Sequence, residues 1–334
     1  MKWKYFIGMD VSKATLDVAV VVEREVVYQQ QISNTLTALK QLLKTLKKEV
    51  MGFELCQAVF CMEHTGIYNY HALRFLHQIG GQVSLQSAVH IKWSLGLQRG
   101  KNDRVDALRI ARYAYKSREE LKLWKPKREV VEKLSRLTTL RERLIHAKNQ
   151  LEVAYRETAE FDKSAGAMLK SLSNASVKAI LRDIEKTEKA IDELIMQDEE
   201  LKRLFKIITS VQGVGKVTAA AMIVTTNEFK DISEAKQYAC YAGVAPFEHS
   251  SGSIKGKSRV SDKANKQVKS LLHMAALCAI TYNDDLKQYY ERKLQEKNNK
   301  MLIINAVRNK LIHRIFACVK QNRLYQKNYQ PTLV

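Results

Sequence analysis

The chain has 334 residues, more than one hydrophobic core usually covers, so two or three domains are expected, each able to bury its own apolar interior without covalent staples. Its 56 Lys and Arg against 35 Asp and Glu leave a formal charge of +21, which repels itself unless a polyanion neutralises it, and nucleic acid is the expected polyanion. An anionic membrane would be the rival, but charge interrupts every apolar stretch well short of the ~18 residues a span needs, and Met1 to Asp10 has neither the apolar run nor the cleavage site of an export signal, so a cytoplasmic protein is expected.

From Tyr5 to Val22 apolar, β-branched residues are broken by a polar turn at Asp10 to Thr15, and a further run ends near Val27 to Gln31, the pattern of a hairpin or meander. Leu36 to Leu46 has helical spacing, Ala58 to Met62 reads as a strand, Tyr68 to Gln78 as a helix and Gln82 to Leu85 as another strand. This alternation is that of an α/β domain. A helix opens near Asp103, with Val105 and Leu108 expected to face a core, and Pro126 marks a boundary, giving a first domain of 1–126. Beyond it, Leu137, Leu140, Leu144, Ala147, Leu151 and Ala154 step by threes and fours, as do Ile180, Ile184, Thr187, Ile191 and Leu194. Two long helices follow, with the polar, Gly-containing stretch Asp162 to Asn174 expected as the linker of a coiled-coil hairpin over 127–206 that contacts a second subunit. The remainder, 207–334, is expected to be mostly helical: a Gly213-x-Gly215 turn, a helix from Thr218, a Gly/Ser/Lys-rich loop from Gly243 to Arg259, and basic helices around Lys266 to Ile280 and Met301 to Val319. The five cysteines, Cys56, Cys61, Cys240, Cys278 and Cys318, are scattered through apolar runs and read as reduced thiols, and no second Cys/His pair completes a zinc site with Cys56 and Cys61.

Carboxylates carry the chemistry. Asp10 and Glu63 each end an apolar strand, and Asp103 and Asp106, three apart, share one face of a helix. Singly each has a plainer explanation: a turn residue at Asp10, a helix cap at Asp103, a surface pair of Asp106 with Arg104 or Arg109. Gathered in one cleft they would repel by about 4 kcal/mol per pair at ~4 Å and an effective dielectric near 20, a cost only cations remove. Oxygen ligands without Cys or His suit magnesium, or manganese in its stead, and such ions serve phosphodiester displacement.

The runs Ile7-Gly8-Met9-Asp10-Val11-Ser12-Lys13, Met62-Glu63-His64-Thr65-Gly66 and Lys101-Asn102-Asp103-Arg104-Val105-Asp106-Ala107 resemble the DEDD motifs of the IS110 insertion-sequence transposases and the related Piv-like DNA invertases. The resemblance implies a RuvC-like RNase H fold for the first domain and magnesium bound by Asp10, Glu63, Asp103 and Asp106. Family members often have Asn-Pro where this chain has Gln86-Ser87. Tyr241-Ala242-Gly243-Val244-Ala245-Pro246, Ser250-Ser251-Gly252 and Ser261-Asp262-Lys263-Ala264-Asn265 resemble the family's serine-bearing transposase domain, in which the serine before the glycine is the nucleophile; that is Ser251, with Ser250 the neighbouring alternative. Without the resemblance the same serines read as a flexible loop, with His249 the one local base. The family further implies donor and target DNA recognised through a non-coding bridge RNA, and homo-oligomers, dimer to tetramer, with composite sites.

Val211 to Ala219 resembles a helix-hairpin-helix turn, in which Gly213, Gly215 and Lys216 would approach a nucleic-acid backbone, although Gly-x-Gly is also common in ordinary turns, and no third glycine fits a dinucleotide fingerprint. Lys255, Lys257, Arg259 and Lys263 crowd the serine loop, and Arg308, Lys310, Arg314, Lys320 and Arg323 line the last helix, as phosphate contacts. Two other functions share most of these features: a RuvC-like junction nuclease using metal-activated water, and a non-catalytic nucleic-acid scaffold.

Overall fold

The computed structural model describes residues 3–94, 103–247, 250–251, 254–255, 259–260, 264–296 and 299–327, with only the backbone described at 103–104 and for the strand residues from 250 to 259. The described chain divides into two units, 1–126 and 127–334.

In the first unit the alternating runs fold as β1 (Tyr5–Val11), β2 (Thr15–Val22) and β3 (Glu25–Ser33), an antiparallel meander. Ser12 makes the first corner, its amide donating to the Thr15 carbonyl at 2.9 Å and its Oγ accepting from the Thr15 amide at 3.0 Å. Helix α1 (Leu36–Glu49), capped by the Thr35 hydroxyl, leads to β4 (Ala58–Glu63), and α2 (Tyr70–Gln78) leads to β5 (Gln82–Gln86). The sheet order is β3-β2-β1-β4-β5, with β4 parallel to β1 and β5 parallel to β4. Such parallel neighbours need helical crossovers, which α1 and α2 supply.

Period-two alternation sorts the strand side chains onto two faces. Ile7, Met9, Val18, Val20, Phe60 and Met62 pack with Leu39, Leu42 and Leu46 of α1 and Leu76 of α2. The opposite parity, Phe6, Ala19, Val21, Val59 and Cys61, packs beneath α4 (Asp103–Lys116), which follows α3 (Ala88–Ser94). Ala107, Ile110, Ala111 and Ala114 make the contact, while Val105 is exposed and Leu108 only partly buried, so the stripe facing the core is rotated from the one expected.

The second unit opens with α5 (Glu129–Phe161) and α6 (Lys163–Gln197), which pack antiparallel: Arg141 pairs with Glu188 at 2.7 Å, and Ala159 lies against Gly166. The linker expected from Asp162 to Asn174 is helical except at Asp162, whose carboxylate accepts from the Ala165 amide at 3.0 Å and restarts the helix. Gly166 is there for proximity, since a Cβ would stand 2.5 Å from that of Ala159. Then follow α7 (Glu199–Thr209), α8 (Lys216–Thr226) and α9 (Ala235–Tyr241). Within the loop expected after Gly243, β6 (Pro246–Phe247) pairs with β9 (Arg259–Val260), and β7 (Ser250–Ser251) with β8 (Ile254–Lys255). Helices α10 (Lys266–Tyr282), α11 (Asp284–Glu296) and α12 (Lys300–Lys320) complete the unit, around a core that includes Phe205, Met222, Tyr238, Leu272, Leu311 and Phe316.

Arg128, just ahead of α5, ties three of these helices together. It donates to Asp198, the N-cap of α7, at 2.7 Å, and to Glu228, just past α8, at 2.5 Å. Asn227, Glu228 and Phe229 are all left-handed, with φ of 51°, 59° and 62°, a sharp corner that turns the Glu228 carboxylate inward. Among the described residues no helix is long and apolar enough to cross a membrane.

Candidate active site

The β1–β4 register aligns Met9 with Met62, so the next residues, Asp10 and Glu63, stand side by side at the strand ends. Their parity is that of Phe6 and Cys61, so both belong to the face that α4 covers. Both side chains are half-buried, and neighbouring strands lie about 4.8 Å apart. The chain leaving each strand is fixed by an amide side chain. Asn34 donates to the Ser12 carbonyl at 2.9 Å and the Tyr68 carbonyl at 3.0 Å, and Asn69 donates to the Glu63 carbonyl at 3.0 Å while accepting from the Thr65 amide.

Helix α4 brings the other two acids to this end of the sheet. Tyr115 packs edge-on against Phe6, whereas Ala107 and Ala111 lie over Gly8, so the helix runs opposite to β1 and its first turn heads toward Asp10. Gly8 is what allows so close an approach: a Cβ there would be 2.1 Å from the Ala107 carbonyl oxygen. Asp103 opens the helix one turn before Ala107, and Asp106 is ion-paired with Arg109 at 2.7 Å. Tyr113, further along, donates to Gln86 at 3.2 Å, beside Glu63 in the β4–β5 register.

One acid on this face is absent from the motif reading. Asp17 is the cross-strand partner of Asp10, 3% exposed, with Oδ2 accepting from Gln31 at 2.9 Å and Oδ1 buried without a hydrogen-bond partner. The signal in the sequence is a charge inside the apolar run Leu16 to Val22, where both faces of the strand turn out to be covered. Like charges opposite one another on paired strands repel by roughly 3 kcal/mol at ~5 Å and a dielectric near 20.

Among the described residues no three His, Cys, Asp or Glu side chains close on a common point at metal-binding distance. The donor set is nonetheless that of a hard divalent cation: carboxylates on one face, one of them with an orphaned buried oxygen. The single thiol on that face, Cys61, is pushed up to about 12 by burial and stays a protonated core residue. Of the four acids expected as ligands, Asp106 is engaged by Arg109 and Asp103 is described by its backbone alone.

In the second unit, Ser250 and Ser251 stand opposite Lys255 and Ile254 in the β7–β8 pair. Both ends of the segment are anchored: Asn305 of α12 donates to the Val244 carbonyl at 2.8 Å, and Asn265, the cap of α10, donates to the Tyr241 hydroxyl at 2.8 Å. His249, Lys257 and Lys263 lie outside the described residues, and Lys255 and Arg259 are described by backbone alone. Lys216 begins α8 and pairs with Asp192 at 2.7 Å. Gly213, at φ 93°, lies against α10, where a Cβ would meet Ala279, while the Cβ position of Gly215 is open. Arg308 is not on the surface as expected; it is 5% exposed and bonded to His273, because α12 buries that face against α10.

A family model described as Transposase, of the IS110 DEDD type, matches residues 7–159, and one described as Transposase IS116/IS110/IS902 family matches residues 205–291. The pilin gene-inverting protein of Moraxella bovis is 28% identical over 97% of this chain and 98% of its own. The transposase for insertion sequence element IS1111A of Coxiella burnetii is 23% identical over 79% of this chain and 78% of its own. T. thermophilus RuvC, solved in complex with Holliday junction substrate, aligns with 35% of this chain and 98% of its own at 14% identity and a TM-score of 0.28, a likeness too distant to argue from. With matches of one family in both units and a relative aligned from end to end, the chain belongs to the IS110 family of transposases, enzymes that act on DNA.

Proposed function

We propose that the protein is an insertion-sequence recombinase in which Asp10, Glu63, Asp103 and Asp106 hold magnesium and Ser251 is the nucleophile. The observation that supports the reading is the β1–β4 register, which ends at Met9 and Met62, one residue before Asp10 and Glu63, on strands whose face is crossed by the helix of Asp103 and Asp106. A mixed sheet with a three-stranded meander followed by two parallel strands also suits an RNase H-like, RuvC-like first domain. Bound there, the ion would supply positive charge that polarises the scissile phosphodiester. The Ser251 Oγ forms a bond to phosphorus as the bond from phosphorus to one DNA strand breaks, and the released strand oxygen takes up a proton. A hydroxyl of the incoming strand then displaces the serine, which regains its proton, and the exchanged strand is sealed. Lys255, Lys257, Arg259 and Lys263 neutralise phosphates around the serine, and Gly213, Gly215 and Lys216 form a helix-hairpin-helix-like backbone contact.

The reading extends to donor and target DNA selected through a bridge RNA, to a homo-oligomer of two to four chains joined through the coiled coil of α5 and α6, and to action in the cytoplasm. The three-part division 1–126, 127–206 and 207–334 goes with it. Asp10→Asn and Ser251→Ala are each expected to abolish recombination while nucleic-acid binding persists, and a phosphatase-resistant protein–DNA adduct is expected in the parent and absent from Ser251→Ala. Recombination by Ser251→Ala would remove the nucleophile, and sequencing the RNA that copurifies tests the guide.

A further inference from the structure

We infer that Asp17 is a fifth carboxylate of the ion-binding cluster, its free oxygen facing the divalent ion or the water shell of that ion beside Asp10. The inference rests on the proposed metal reading and goes beyond the four motif acids. Three observations carry it.

The first is register: Asp10 and Asp17 are direct partners across the β1–β2 pair, so their side chains emerge on the same face. The second is burial. Asp17 is 3% exposed, since α4 packs on β2 as well as on β1 and β4. The third is an unmet hydrogen bond. Oδ2 accepts from Gln31 on β3, whereas Oδ1 has no donor, and no ion pair reaches Asp17 among the described residues. A buried carboxylate oxygen without a donor is strongly disfavoured, and native proteins nearly always supply one as a side chain, an ordered water or an ion. With β3 engaging one oxygen, the neighbour on the other side of Asp17 is Asp10, itself a candidate ligand. A cation with its waters is a partner that satisfies the orphaned oxygen.

A role confined to packing predicts something different. Gln31 would then be the whole purpose of Asp17, and an isosteric amide would leave ion binding untouched. The experiment is a Mn2+ titration of the full-length protein, read by thermal shift and by the spin-resonance signal of free Mn2+, on the parent, Asp10→Asn, Asp17→Asn and Asp17→Ser. Asp17→Asn is expected to melt higher than the parent in EDTA, because a buried negative charge is gone, and to need about tenfold more Mn2+ for half-maximal stabilisation, the lower end of what losing an orienting partner of a metal site costs. Asp17→Ser, smaller and neutral, is expected to show the same loss of Mn2+ affinity if the amide fails to fold. Unchanged Mn2+ affinity in the folded Asp17 variants, with a loss in Asp10→Asn, would overturn the inference alone. No Mn2+ binding by the parent would overturn the metal reading and this inference together.

Discussion

A methyl group at position 8 would sit 2.1 Å from the Ala107 carbonyl oxygen and 2.3 Å from the Ala111 amide nitrogen, and both are backbone atoms that no rotamer change can move. Gly8→Ala must therefore lift α4 off the sheet. A loss of about 3 kcal/mol is expected in urea denaturation, at the upper end for overpacking, together with weaker Mn2+ binding, since the helix carries two of the acids. Loss of stability with ion binding intact would show that the depth of α4 is irrelevant to the cluster. At this scale Asp10 and Glu63 are visible in the sequence because each interrupts an apolar strand at its end. Asp17 shows there only as a charge inside an apolar run, because alternation in β2 says which side chains share a face but not that a helix some ninety residues later will cover it.

The corner formed by Arg128, Asp198 and Glu228 shows how a few charges hold elements in place. Hydrogen bonds from Arg128 hold the Asp198 carboxyl below the usual range; burial pushes Glu228 up, but bonds from Arg128 and Lys230 more than offset it and leave that carboxyl lowered as well. Both acids are thus more acidic folded than unfolded, so their contribution is complete above the ordinary carboxylate range near pH 4 and disappears as pH falls through the lowered folded values. Arg128→Met is expected to cost roughly 2 kcal/mol at neutral pH, less than in a fully enclosed pair because the arginine is 40% exposed, and the gap from the parent should close as melts are taken toward pH 3. A gap independent of pH would sink this account. Periodicity made most helices and all five strands of the first unit legible. It failed at 163–174, where Gly166, Ser171, Ser173 and Asn174 look like a loop although the glycine serves helix contact, and at α11, whose charged sequence buries only Leu286 fully.

Over the whole molecule, 56 basic residues against 35 acidic ones set the terms of association with DNA. If six to ten phosphates are neutralised, affinity for a duplex should fall about a thousandfold or more between roughly 50 and 200 mM salt, in fluorescence anisotropy titrations. A flat salt response would mean that the excess charge lies away from the DNA. Charge balance was legible from composition alone, whereas the burial of Arg308 was not, since only the packing of α12 on α10 removes it from the surface.

The two arms α5 and α6 run 33 and 35 residues and meet at a one-residue corner, so each is a rod of about 50 Å whose cross-links are counted from the same point. Changing the length of one rod alone slides Arg141 off Glu188 and every rung beyond it. Seven residues added to each, on the corner side of that pair, would keep all existing rungs in step. The reach of this arm is therefore adjustable by matched additions to both rods.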